Sequence, residues 1–153
     1  DFNSFSNEQK HMLKFANLYL KHVLNTPFNE AIKNQIDCLP SNFVSTQTNI
    51  QKDINKILIK MKETPQLEPI IENTIQVDIM TPLKDKETIL IIESDGSCHY
   101  SNTGELCFKD QHRDRLLEAL GYHVLRIKNN NWFKLGTDNK KINFLSKKIS
   151  VIT

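Results

Sequence analysis

The stretch Thr88-Ile89-Leu90-Ile91-Ile92-Glu93-Ser94-Asp95-Gly96 decides the fold. Four consecutive branched apolar residues after Thr88 favour an extended backbone, and a run this short suits a strand covered on both faces. Glu93 closes the run, and Asp95-Gly96 breaks it into a polar loop reaching Glu105. On the upstream side, Ile75-Gln76-Val77-Asp78-Ile79 alternates as a half-buried strand, and the short charged stretch from Pro82 to Glu87 suits a hairpin between the two.

Downstream, a helix is expected up to Leu120, with Leu116, Leu117 and Leu120 inward and Gly121 as its C-terminal cap. Tyr122-His123-Val124-Leu125-Arg126-Ile127 alternates again as a strand. An Asn129-Asn130-Asn131 loop then leads to Trp132, expected in the core, and a last basic helix runs roughly from Asn139 to Ile149. Before the strands, Thr48 to Glu63 reads as a helix with Ile50, Ile54, Ile57, Leu58 and Met61 on one face and Lys52, Lys56 and Lys60 in line on another. The order implies an α/β domain over 46–153, a small mixed sheet with flanking helices. Residues 1–45 read as a preceding α-helical hairpin, a form that suits the end of a repeat array, although one unit cannot show a repeat. Ser6-Asn7-Glu8-Gln9 has the form of a capping box, Thr26-Pro27 opens the second helix and Leu39-Pro40 ends it.

Bulk properties narrow the class. A chain of 153 residues with 39% hydrophobic and 25% charged residues has room for one globular domain with a helical extension. No apolar run approaches the roughly 18 residues of a membrane span, so no membrane partner is expected. Three cysteines, with no C-x-x-C spacing, argue for an intracellular or organellar compartment rather than a disulfide scaffold. The chain opens on Asp1 rather than Met and reads as a segment of a longer protein.

The net charge of +2 is unevenly spread. Residues 1–62 hold 8 basic and 5 acidic side chains, residues 63–107 hold 2 and 9, and residues 108–153 hold 10 and 4. An acidic centre between basic flanks suits carboxylates that hold a metal while the flanks hold phosphates, and equally suits charge segregation with no ligand.

The candidate chemistry lies in that centre. Asp78 and Glu93, on adjacent strands, are expected to point toward one place, and Asp95 shares the face of Glu93 if the strand continues that far. Converging carboxylates bind Mg²⁺, which activates water and stabilises charge on a phosphate. His99 is placed to act as general acid or base. In the following helix, Asp110, Arg113 and Leu117 fall near one face, and the next strand is expected to send Arg126 outward. Arg is scarce in this chain, so its placement suggests that fork geometry matters, for phosphate or for bracing a neighbouring acid. Cys98, His99, Cys107 and His112 match no standard zinc spacing.

These residues carry a family resemblance. Val77-Asp78-Ile79, Ile92-Glu93-Ser94-Asp95-Gly96, His99-Tyr100, Asn102-Thr103-Gly104, Leu116 to Tyr122 and Trp132 resemble the RAP domain. This is an RNA-binding domain abundant in apicomplexans and found in FAST-kinase-like mitochondrial proteins. The Asp110/Arg113/Gly121/Arg126 spacing also resembles the very-short-patch-repair-like branch of the PD-(D/E)XK nucleases. The resemblance implies a restriction-endonuclease-like fold and a mitochondrial role in RNA processing, RNA stability or ribosome association. Its implied partners are organellar transcripts or ribosomal RNA, with ribosomal proteins if the chain is a structural subunit. By position, Asp78, Glu93 and Asp95 correspond to the acidic core and metal ligands of a nuclease, with His99 beside them.

One departure favours binding over cutting. The nuclease pattern wants Lys two residues after the second acid, and Asp95 stands there. Without a metal or an arginine among them, the three carboxylates would repel one another. Lys109 and Arg113 are the nearby cations on the following helix. A binding module needs no cofactor, and a metal-dependent endoribonuclease would take Mg²⁺. The expected phosphate contacts are Lys52, Lys56, Lys60, Lys109, Arg113, Arg126, Lys140 and Lys141.

Overall fold

A computed structural model describes residues 4–39, 43–84 and 87–152 and divides into two compact units. One comprises residues 1–45 and 70–76, the other residues 46–69 and 77–153.

The first unit holds α1 (Asn7–His22) and α2 (Glu30–Asp37). The Ser6 capping box forms as expected: the Ser6 hydroxyl accepts from Gln9 N at 3.2 Å, and Gln9 Oε1 accepts from Ser6 N at 2.8 Å. The second helix begins three residues later than Thr26-Pro27 suggests. Asn29, a stronger cap than Thr, accepts from Ile32 N at 3.0 Å and sets the start. Pro40, expected to end this helix, lies outside the described residues; α2 stops at Asp37. A two-stranded antiparallel ladder, β2 (Ile70–Ile71) with β3 (Ile75–Gln76), completes the unit.

The second unit is a mixed α/β layer. Its four-stranded sheet has the order β1 (Gln66–Leu67), β4 (Ile79–Pro82), β5 (Ile89–Asp95), β6 (His123–Lys128). β1–β4 and β4–β5 are antiparallel, whereas β5–β6 is parallel and is joined through α4 (Phe108–Ala119). The expected strand over 75–79 is in fact split. Ile75 and Gln76 pair with β2, and pairing with β5 starts only at Ile79. Pro82, expected in the turn, is the last residue of β4. Part of the expected hairpin turn, 85–86, lies outside the described residues.

Alternation along β5 sorts the two faces. Leu90 and Ile92 enter a core with Ile50, Ile54, Ile57 and Leu58 of α3 (Asn49–Lys60), Ile127 of β6, Trp132 of α5 (Asn129–Leu135) and Leu145 of α6 (Asp138–Ile149). Ile91, Glu93 and Asp95 alternate to the opposite face, where α4 lies. Thr48 caps α3 through a second capping box with Gln51, and Gly121, at φ +91°, ends α4.

The Asn129–Asn131 run is helical rather than a loop. Three consecutive Asn residues disfavour a helix, but tertiary anchoring overrides that preference. Trp132 is fully buried, and its indole N–H donates to Asp53 of α3 at 2.8 Å. The same Asp53 oxygen accepts from Lys141 of α6 at 2.7 Å, so one carboxylate ties α3, α5 and α6 together.

Candidate nucleic-acid interface

On the α4 face of the parallel pair β5–β6, toward its carboxyl end, acidic and basic side chains cluster. Arg126 is the centre of this cluster. The parallel register sets it opposite Glu93 on the α4 face. Its Nε and Nη2 donate to both oxygens of Asp114 at 2.7 and 2.8 Å, and its Nη1 donates to Asp95 Oδ1 at 2.8 Å. The other oxygen of Asp95 accepts the Tyr100 hydroxyl proton at 2.7 Å. Burial opposes the charge on Arg126, but Asp114 and then Asp95 outweigh it and raise its pKa above the usual guanidinium range. Burial, with Asp95 beside it, likewise pushes the Tyr100 hydroxyl above the ordinary phenol range.

Two further acids complete the α4 face. Glu93, only 4% exposed, accepts from Arg113 Nη2 at 2.8 Å. Burial raises its carboxyl to about 7 against the pull of Arg113, with Asp78 and Asp95 adding to the rise. Asp110 accepts from the Cys107 thiol at 2.8 Å and lies 2.8 Å from His99 Nδ1. Burial would raise Asp110, but the bonds from Cys107 and His99, helped by Arg126, hold it below its usual range.

Asp78 acts on Glu93 through its charge but makes its hydrogen bonds outside this set. It lies between β3 and β4 rather than inside a strand, and its Oδ2 accepts from Ser94 N and Ser94 Oγ at 2.8 and 2.6 Å. By alternation, the Ser94 side chain belongs to the face opposite Glu93 and Asp95. Asp95 and His99 come near one another (3.9 Å). Among the described residues, no three His, Cys, Asp or Glu side chains converge in a way that would hold a metal ion. The donors around Asp78, Glu93 and Asp95 are two arginines, a serine and a tyrosine.

The eight cations expected at phosphates divide by environment. Lys52, Lys109 and Lys140 are exposed. Lys56 and Lys60 both pair with Asp138, at 3.5 Å for Lys56. Arg113 and Arg126 are part-buried in the network, and Lys141 is buried against Asp53. Arg126, expected to project outward, instead points into its carboxylate partners.

Residue pattern alone missed Asp114, which sits one turn after Asp110 on α4 and directly receives Arg126. An i, i+4 pair of acids facing a strand arginine was the available signal. It also missed a groove at the same sheet end, lined by Asp95, Tyr100, Lys128, Asn130, Phe133 and Lys134 among others.

Residues 92–148 match the RAP domain family, from the middle of β5 through almost all of α6. This part of the chain is a RAP domain. Every member of the Arg126 network, and the whole groove, lies within the RAP domain. Asp78 and the lysines of α3 lie before it. A RAP domain points to RNA as the ligand. No curated protein matches the chain, and among the described residues no helix is long and apolar enough to cross a membrane.

Proposed function

We propose that this chain is the RNA-binding end of an organellar protein, mitochondrial by its resemblance, that acts in RNA processing, RNA stability or ribosome association by binding RNA rather than cutting it. The RAP domain match over residues 92–148 carries this reading. The chemistry of the acidic centre supports binding over cutting. A hydrolytic metal site needs carboxylate oxygens open toward the metal, whereas Asp95 here has both oxygens occupied by Arg126 and Tyr100. One oxygen of Glu93 is taken by Arg113, and one of Asp78 by Ser94. Asp95, standing where the nuclease pattern wants a lysine, is thus part of a charge network that binds β5, β6 and α4 together. Affinity then comes from the exposed cations, Lys52, Lys109 and Lys140 among them.

The test is end-labelled RNA incubated with the chain at several salt concentrations, with and without Mg²⁺ or Mn²⁺. Binding that weakens steeply with salt, with the RNA left intact, is the expected result. Metal-dependent cleavage abolished by Asp78→Ala would overturn the binding-only reading. Failure to bind RNA at low salt would leave the chain as a structural subunit.

A further inference from the structure

The geometry points to the groove beyond the ends of β5 and β6 as a seat for unpaired nucleotides, with a base stacked on Phe133 and the adjoining phosphates on Lys128 and Lys134. This inference rests on the RNA-binding reading and names its ligand as single-stranded rather than duplex RNA.

Four observations converge. The groove is open and holds about 610 Å³, within the range of small-ligand clefts. It lies outside the carboxyl ends of parallel strands, where open α/β sheets commonly bind ligands. Phe133 lines it and is 60% exposed, although its neighbour Trp132 on the same short helix is fully buried. An aromatic ring left in water on a polar wall is what base stacking requires, and it contributes nothing to the core.

The charge matches as well. Lys128 and Lys134 are exposed on the groove wall, and the Lys128 ammonium rests 3.8 Å from the centre of the Tyr100 ring. That contact keeps the cation at the groove without neutralising it. Among the described residues Asp95 is the only acid in the lining, and its charge is withheld: it is 3% exposed and bonded to Arg126 and Tyr100. Asn130 and its Asn neighbours add amide donors and acceptors of the kind that meet base edges. Duplex RNA fits poorly, because each paired base already has both faces stacked and cannot offer one to Phe133.

The test compares binding of the whole chain to a mixed-sequence 12-nucleotide single strand and to a hairpin duplex of the same composition, by fluorescence anisotropy. Phe133→Ala is expected to weaken single-strand binding about tenfold, the loss of one stacked base, and to leave hairpin binding unchanged. Phe133→Tyr keeps the ring and should bind as the parent does. Lys134→Glu should weaken binding and flatten its salt dependence. Unchanged melting temperatures establish that the variants fold. A parent that binds single strands while Phe133→Ala and Lys134→Glu bind equally well overturns the groove and leaves the RNA-binding reading standing. A hairpin that binds as tightly as the single strand, and loses equally in Phe133→Ala, overturns the single-strand assignment. A parent that binds neither RNA overturns both readings.

Discussion

Arg126 holds Asp114 in a two-bond fork, at 2.7 and 2.8 Å, across the joint between β6 and α4. The same guanidinium reaches Asp95 at the end of β5, so a single side chain links three elements of the parallel unit. Arg126→Ala leaves two poorly exposed carboxylates facing each other without their cation. Breaking one side of such a pair costs about 3–5 kcal/mol when fully buried, and the partial exposure of Asp114 brings the expectation to about 3 kcal/mol. Arg126→Lys should recover little, because an ammonium cannot satisfy both oxygens of Asp114 and still reach Asp95. Urea denaturation of the two variants measures both effects. Equal stability of Arg126→Lys and the parent would show that the fork does not matter.

Glu93 makes stability depend on pH. Its carboxyl moves from an ordinary 4.5 to about 7 in the folded chain, chiefly through burial. A group that holds its proton more tightly when folded favours the folded state where it is protonated. Its contribution is therefore fully present below about 4.5 and lost as pH rises through about 7, a change of up to about 3 kcal/mol. Glu93→Gln keeps an oxygen for Arg113 and removes the titration. The stability difference between Glu93→Gln and the parent should accordingly grow in favour of the variant from pH 5.5 to pH 8. A difference that stays constant, or reverses, refutes this account of Glu93. Asp110 and Asp53, both held below their usual range, act in the opposite sense and lose stability only at acid pH, as they protonate.

What was legible in the sequence divides along the line between local and tertiary chemistry. The capping box at Ser6, the start of α3 at Thr48, the apolar run at 89–92 and the Gly121 stop are set by residues within a few positions of one another, and each appears where the pattern places it. The scarcity of arginine pointed correctly to fork geometry, yet not to the partner: Asp114 meets Arg126 only because β6 runs parallel to β5 beneath α4. The Asn129–Asn131 stretch misleads for the same reason. Its local preference is for a loop, and the bond from Trp132 to Asp53, 79 positions earlier, makes it helical. That misreading hid the groove, since Phe133 and Lys134 reach it only from a helix.

Asp53 is the counterpart of Arg126 on the other face of the sheet. It accepts from both the Trp132 indole and the Lys141 ammonium, and those bonds hold its carboxyl below the usual range against the effect of burial. Asp53→Ala would leave an indole N–H and a buried ammonium without an acceptor. A loss of about 2–3 kcal/mol is expected, reported by Trp132 fluorescence shifting toward that of a solvated indole. Asp53→Asn retains one acceptor and should lose less. If α5 is anchored this way, Asp53→Ala should also weaken RNA binding in the groove, because Phe133 and Lys134 stand on the helix that Trp132 pins.

Asp138 restrains two of the lysines proposed to meet RNA. It lies at the start of α6 and pairs with Lys56 and Lys60 of α3, and the Lys60 bond chiefly lowers its pKa. Exposed pairs of this kind contribute little to stability, so Asp138→Asn should fold with an unchanged melting temperature. It would release both ammonium groups and remove a negative charge beside them. If the line Lys52, Lys56 and Lys60 contacts phosphate, RNA affinity should rise severalfold in this variant, with a steeper dependence on salt. Reversing the line with Lys52→Glu should do the opposite. Affinity that is indifferent to both substitutions would confine RNA to the strand-end groove and leave the lysine line of α3 as a solvated helix face.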